Sequence, residues 1–254
     1  MTKVEIASYP KSGNSLFRHI SKDFLSKLNE NEFYLPPDIH EQYNKIKNFK
    51  GQFINKIGSL VLLYKSHIFN NPEILPDYII HIYRHPLDVF LSSRNSLFNQ
   101  SKRFNKNRLN SLFINGKPKS VEQISHDNEM DHYFNEFLEQ TGTTYWQNML
   151  GDNSNYFKYV MKAIQNENSI SIRYEDLIEN ASGVANKAFS HIWSSIPYIS
   201  VNMERINKIT KYSGYKNFYW KSMYKNYENF LSQKQIDSFT KKYRDELCIL
   251  KYPV

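Results

Sequence analysis

The sequence predicts an α/β fold: one domain with a central, mainly parallel sheet flanked by helices. Three observations lead there. Four short apolar segments read as strands, helical patterns separate them, and two strand ends run into polar turns that open a helix. The 254 residues can bury roughly 70% of the unfolded chain's surface, and neither a repeat nor a composition break divides them. Residues 1–254 therefore read as a single domain.

The elements follow in order. Val4-Glu5-Ile6-Ala7-Ser8-Tyr9 alternates weakly and stops at Pro10, as a strand entering a turn does. From Ser15 onward Leu16, Phe17, Ile20, Phe24, Leu25 and Leu28 recur at three- and four-residue steps, the apolar stripe of an amphipathic helix. Residues 29–58 are polar, with Pro36-Pro37, and read as loop plus short helix. Ser59 to Tyr64 is a continuous apolar run of the kind buried in parallel sheets. Tyr78 to Arg84 is a third strand, followed by a helix with Pro86 in its first turn and Val89, Phe90 and Leu97 as core contacts. Residues 99–130, rich in Asn, Lys, Arg and Ser, are expected to form a lid or acceptor-side insertion. Ser169 to Tyr174 is the fourth strand, and helices fill most of the remainder.

Composition narrows the classes. A single cysteine, Cys248, excludes an internal disulfide framework and a thiolate metal cluster. No apolar run approaches the ~20 residues of a membrane span, and no secretory signal pattern is visible, so a cytoplasmic protein is expected. The formal charge of +8 suits nucleic acid, an acidic membrane or a highly charged small ligand. Recognition-helix, RNA-binding and zinc motifs are absent, which weighs against nucleic acid.

Three stretches carry chemistry. Tyr9-Pro10-Lys11-Ser12-Gly13-Asn14-Ser15 joins the first strand to the first helix, where backbone amides and the helix dipole favour an anion. Gly13 permits close approach of the main chain, Lys11 adds a charge and Ser15 a hydroxyl; a plain tight turn is the alternative. Lys65-Ser66-His67 directly follows the second strand, and residues two apart in extended chain point the same way. A cation and a natural general base would then share one site, unless His67 is an ordinary surface histidine. Arg84 leaves the third strand and Ser92 follows eight residues later, so the two could converge on a second phosphate across the helix start. Arg84 could equally pair with Asp88.

These stretches in this order, with Tyr174-Glu175-Asp176-Leu177 beyond them, resemble the sulfotransferase family that uses 3′-phosphoadenosine 5′-phosphosulfate (PAPS). In that family a Tyr-Pro-Lys-Ser-Gly-Thr-Thr-Trp loop holds the 5′-phosphosulfate, a Lys-Thr-His follows the next core strand, and an Arg…Ser pair holds the 3′-phosphate. The resemblance spans residues 9 to 177, about two thirds of the chain. It implies a P-loop-like nucleotide-binding fold and transfer of a sulfuryl group from PAPS to a hydroxyl or amine of a carbohydrate or small metabolite, leaving PAP. His67 would be the general base, with Lys11 and Lys65 stabilising the transferring group. Lys11, Ser12, Gly13, Asn14 and Ser15 would hold the 5′-phosphate, Arg84 and Ser92 the 3′-phosphate, and Tyr174 would approach the adenine. No metal is implied.

Two departures stand out. Leu16 occupies the position of the family's adenine-stacking Trp, and base stacking on an aromatic ring is worth ~1–3 kcal/mol. The family's C-terminal Arg-Lys-Gly…Gly-x-Trp-Lys has only a partial echo in Lys211-Tyr212-Ser213-Gly214 and Trp220-Lys221. The aromatic run from Tyr212 to Phe230 could wall an acceptor or simply be core. Lys102, Arg103, Lys106 and Arg108 could meet an acidic acceptor or lie on a solvated face. A kinase-like phosphotransferase lacks its Gly-Lys-Ser/Thr here, and a catalytically degenerate PAP-binding module is the other alternative.

Overall fold

Val4 and Ile6 sit on one face of the first strand and Glu5 and Ala7 on the other, all buried, so this strand belongs in the middle of a sheet. The computed structural model puts it there. It describes residues 2–29, 36, 52–54, 59–67, 69, 74–104, 110–142, 150, 154–212 and 224–254. Five strands, β1 (Thr2–Ser8), β2 (Gln52–Ile54), β3 (Ser59–Ser66), β4 (Tyr78–Tyr83) and β5 (Ser169–Arg173), lie in the order β2-β3-β1-β4-β5. β1 runs parallel to β3 and β4, and β4 parallel to β5. The four parallel strands are the four read from the sequence.

β2 was not anticipated. It pairs antiparallel with β3 inside the stretch expected as loop plus short helix, most of which lies outside the described residues. Three residues, Gln-Phe-Ile, are too few for a period of two to register. β3 also runs further than expected, so that Lys65 and Ser66 belong to the strand and only His67 lies beyond it.

The chain groups into two compact units, Met1–Arg84 with Tyr159–Ser213, and His85–Lys158 with Gly214–Val254. The first holds the sheet. Helix α1 (Asn14–Asn29) buries Phe17, Ile20, Phe24, Leu25 and Leu28, the stripe expected of it. Phe17 and Phe24 stack on Phe189, at 6.2 and 4.7 Å between ring centroids.

The second unit is helical. Helix α2 (Pro86–Phe104) buries Val89, Phe90 and Leu97 as expected, with Pro86 in its first turn where no intrahelical N–H is needed. Helices α3 (Val121–His126) and α4 (Met130–Gln140) follow, the former opened by a Ser120–Gln123 capping box. Helix α5 (Tyr156–Ile164) crosses from the second unit into the first. Helices α6 (Tyr174–Glu179), α7 (Ala181–Ile192) and α8 (Met203–Tyr212) belong to the first unit, and α9 (Gln233–Lys242) and α10 (Arg244–Ile249) to the second. Phe90 stacks on Phe137 at 4.9 Å and Phe137 on Phe239 at 5.8 Å.

Residues 99–130, expected as lid or insertion, begin inside α2. From residue 110 they carry buried Phe113, Val121 and Ile124, and Leu112 offers its carbonyl to Arg94 Nη2 at 3.0 Å. The side chains of Lys102, Arg103, Lys106 and Arg108 lie outside the described residues, as do residues 213–223 with most of the expected aromatic wall.

Candidate active site

In a parallel sheet the C-terminal strand ends gather at one edge, and ligands bind there. In the first unit that edge carries the turn after β1, the end of β3, Arg84 after β4 and Tyr174 after β5. Seven of the sequence-selected positions, Lys11, Ser12, Gly13, Asn14, Ser15, Lys65 and His67, stand on the first two of these segments.

The turn has an unusual backbone. Lys11 has φ 73° and Gly13 φ 106°, and the amide of Ser12 donates to the carbonyl of Tyr9 at 3.2 Å. Positive φ at a lysine is uncommon and carries a strain of order ~1–3 kcal/mol, which persists where the surroundings over-determine it. Such a turn, leading straight into the first amides of α1, forms a concavity of N–H groups suited to an anion. Ser12 is fully buried, and its hydroxyl has no hydrogen-bond partner among the described residues. Ser15 is half-buried in the first turn of α1.

Three cations share this edge. Burial pushes the Lys11 ammonium down to about 8, and the charges of Lys65 and Arg84 push it in the same direction. Lys65 and Arg84 are themselves 8% and 5% exposed. Repulsion among like charges in a partly desolvated site is a cost that an anion of several charges lowers. The orphaned Ser12 hydroxyl and this repelling triad fit a phosphate-bearing ligand.

His67 lies just past the end of β3, half-buried, with Nδ1 2.8 Å from the Ser8 carbonyl oxygen. A carbonyl only accepts, so Nδ1 carries the hydrogen, and in the neutral ring the lone pair is then on Nε2, the tautomer a general base acting through Nε2 needs. Nothing in the sequence signals this contact, because its acceptor is main chain.

Tyr174 begins α6, and its ring closes on Gly13, where a Cβ would meet Cδ2 at 2.3 Å. The Arg84 guanidinium lies over the same ring, 4.5 Å from the centroid. The residue expected to approach adenine is thus also a buttress for two groups of the site. Leu16 is buried at 4% exposure. The Asn14 side-chain amide turns into the sheet end, where it meets Ile6, Ser8 and Ser66. Ser92 stands in the second turn of α2, in the second unit, and is buried.

No family model matches the sequence, and no curated protein matches it. Solved structures do. Mouse sulfotransferase SULT7A1 complexed with PAP aligns over 97% of this chain and 84% of its own, at 15% identity and a TM-score of 0.62. Retinol dehydratase with retinol and PAP aligns over 99% of this chain and 83% of its own, at 14% identity and 0.54. The chain has the sulfotransferase fold. That fold supplies the mainly parallel sheet and the strand-end edge described above. Among the described residues, no group of three or more His, Cys, Asp or Glu is placed to hold a metal ion, and no helix is long and apolar enough to cross a membrane.

Proposed function

We propose that the protein is a PAPS-dependent sulfotransferase that acts on a hydroxyl or amine of a small metabolite or carbohydrate. The observation that carries this reading is the cation triad, Lys11, Lys65 and Arg84, set against a concave turn with Lys11 driven down to about 8. The two PAP-bound neighbours of the same fold support it, one of them a retinol complex, as does a further retinol dehydratase structure in complex with androsterone. The reading takes the whole chain as one catalytic domain working in the cytoplasm, with residues 99–130 on the acceptor side.

PAPS, when bound, supplies an activated sulfuryl group whose S–O bond to the phosphate breaks as a new bond to the acceptor forms. The turn amides around Gly13, with Ser12 and Ser15, would hold the 5′-phosphate, and Arg84 and Ser92 would hold the 3′-phosphate. Lys11 and Lys65 would neutralise the charge left on the phosphate oxygen, as preorganised donors do at developing charge. His67 Nε2 would take the acceptor's proton, with Nδ1–H anchored on Ser8. Tyr174 would hold Arg84 and the turn in place while presenting its remaining face to the adenine. Part of the adenine stacking lost at Leu16 is assigned to this ring.

PAP titration, against ATP with and without Mg²⁺, tests the nucleotide assignment. Transfer of labelled sulfuryl to a mixed acceptor library tests the reaction. Tight PAP binding without a Mg²⁺ requirement and a labelled product are expected, and preference for Mg²⁺-ATP would overturn the reading. His67→Ala is expected to lower kcat about 10²–10⁴-fold with PAP affinity nearly intact. Near wild-type turnover in that variant would remove His67 from the role of base.

A further inference from the structure

Asn14 opens α1, yet its side chain is 4% exposed and points into the sheet. Its Nδ2 lies 3.1 Å from the Ile6 carbonyl oxygen, 3.0 Å from Ser8 Oγ and 3.4 Å from the Ser66 carbonyl oxygen. Carbonyl oxygens only accept, so the NH₂ end of the amide must be the one facing them. Ile6 and Ser8 belong to β1 and Ser66 is the last residue of β3. The ladder between these strands ends at the pair Ala7↔Ser66, so Asn14 joins the two strands where their own pairing stops.

The joined ends bear the reacting groups. Ser8 offers the carbonyl that holds His67 Nδ1, and Ser66 stands between Lys65 and His67 in the chain. A shift of β3 along β1 by about an ångström would part His67 from Ser8 and release the ring to its other tautomer. Inside a buried end, where water cannot substitute, a donor shared among three acceptors resists that shift.

We infer that Asn14 is a positioning residue: it ties the C-terminal ends of β1 and β3 and through Ser8 keeps His67 in the Nδ1–H tautomer. The inference rests on the reading of His67 as general base. It assigns Asn14 a task different from phosphate binding, since its amide hydrogens already face three acceptors.

Asn14→Leu, similar in size and without donors, tests it. Ring nitrogen NMR of His67 in the protein without nucleotide is the first readout. A single Nδ1–H form is expected in the wild type and a mixture of tautomers in the variant. The second readout is kinetic, with kcat expected to fall about tenfold to a hundredfold while the Kd for PAP moves less than about threefold. An unchanged tautomer together with a tenfold or greater loss of PAP affinity would overturn the inference and make Asn14 a phosphate ligand. Should Asn14→Leu fail to fold, Ser8→Ala removes one of the three acceptors. It is expected to change the tautomer populations in the same direction, and an unchanged spectrum there would overturn the tie. A wild type that neither binds PAP nor transfers sulfuryl would sink the sulfotransferase reading, while the nucleotide-free spectra would still decide the role of Asn14.

Discussion

The guanidinium of Arg84 lies 4.5 Å above the ring of Tyr174, and the edge of that ring closes on the α-carbon of Gly13. One aromatic side chain therefore sets the spacing between a cation at the end of β4 and the turn that follows β1. Gly13→Ala attacks this arrangement twice. Alanine at φ 106° is strained by ~1–3 kcal/mol, and its Cβ would stand 2.3 Å from Tyr174 Cδ2, forcing the ring to move and Arg84 with it. Denaturant unfolding is expected to show that loss or more, and calorimetry at least a tenfold weaker binding of PAP. Adding Tyr174→Ala should return part of the stability, because the collision is gone while the backbone strain stays. A Gly13→Ala protein as stable as the wild type would mean that the ring does not sit where it is described.

Lys11 supplies a proton-linked signature. Its folded-state value of about 8 lies below the ordinary 10.5, so between these pH values the unfolded chain holds a proton that the folded chain has released. Stability from this group therefore rises with pH across that window, and below pH 8 the cost of a buried, repelled ammonium is fully present. A polyanion bound beside it favours the ammonium. At pH 8 PAP binding is expected to take up about half a proton through Lys11, and at pH 6 none through this group. Calorimetry in two buffers of different ionisation enthalpy measures the uptake, and Lys11→Met should abolish it. Proton release at pH 8, or uptake that survives Lys11→Met, would contradict the assignment.

Asp88 has a structural task of its own in the second unit. Its Oδ2 accepts from the Lys225 amide at 2.9 Å and its Oδ1 from the Tyr227 amide at 3.2 Å, holding the turn that stacks Tyr227 on His85 at 4.4 Å. Asp88→Ala removes an acceptor from two backbone N–H groups, one of them buried, at a cost of ~1–3 kcal/mol. Chemical unfolding should register that loss while the Kd for PAP changes less than about threefold. A tenfold loss of PAP affinity would instead favour the pairing of Asp88 with Arg84 that the sequence also allowed.

What the sequence disclosed depended on whether a feature was carried by side-chain pattern or by main chain. β3 and β4 were legible as apolar runs, β1 and β5 as short segments of alternating apolar residues, and the α1 stripe because its six apolar positions keep helical spacing. β2 was not, since three residues hold no period. Lys11, Lys65 and Arg84 could be gathered at one edge because parallel strands present their ends together. The anchoring of His67 could not be read, because the Ser8 carbonyl is common to every residue type. The inward turn of the Asn14 side chain could not be read for a related reason: only the register of β1 against β3 brings three acceptors within its reach.

His81 makes the acid side of the stability profile testable. It is wholly buried on β4, with Nδ1 3.0 Å from Ser171 Oγ and with the rings of Phe69, Tyr83 and Tyr159 around it. Burial alone pushes its imidazole down to about 3, and its Nε2 has no hydrogen-bond partner among the described residues. Below pH 6.5 the unfolded chain protonates this ring while the folded chain does not, so stability is full above pH 6.5 and is lost as pH falls toward 3. At pH 5 the loss from this residue amounts to about 2 kcal/mol. His81→Phe keeps an aromatic ring, removes the orphaned nitrogen and cannot protonate. Its unfolding free energy is expected to fall less than that of the wild type between pH 7 and pH 5, by about that amount. His19, pushed down to about 4 by burial and by Arg18 and Lys22, acts in the same sense but is present in both proteins and cancels in the comparison. Parallel losses in the two proteins over this range would show that His81 is already protonated, or open to water, in the folded chain.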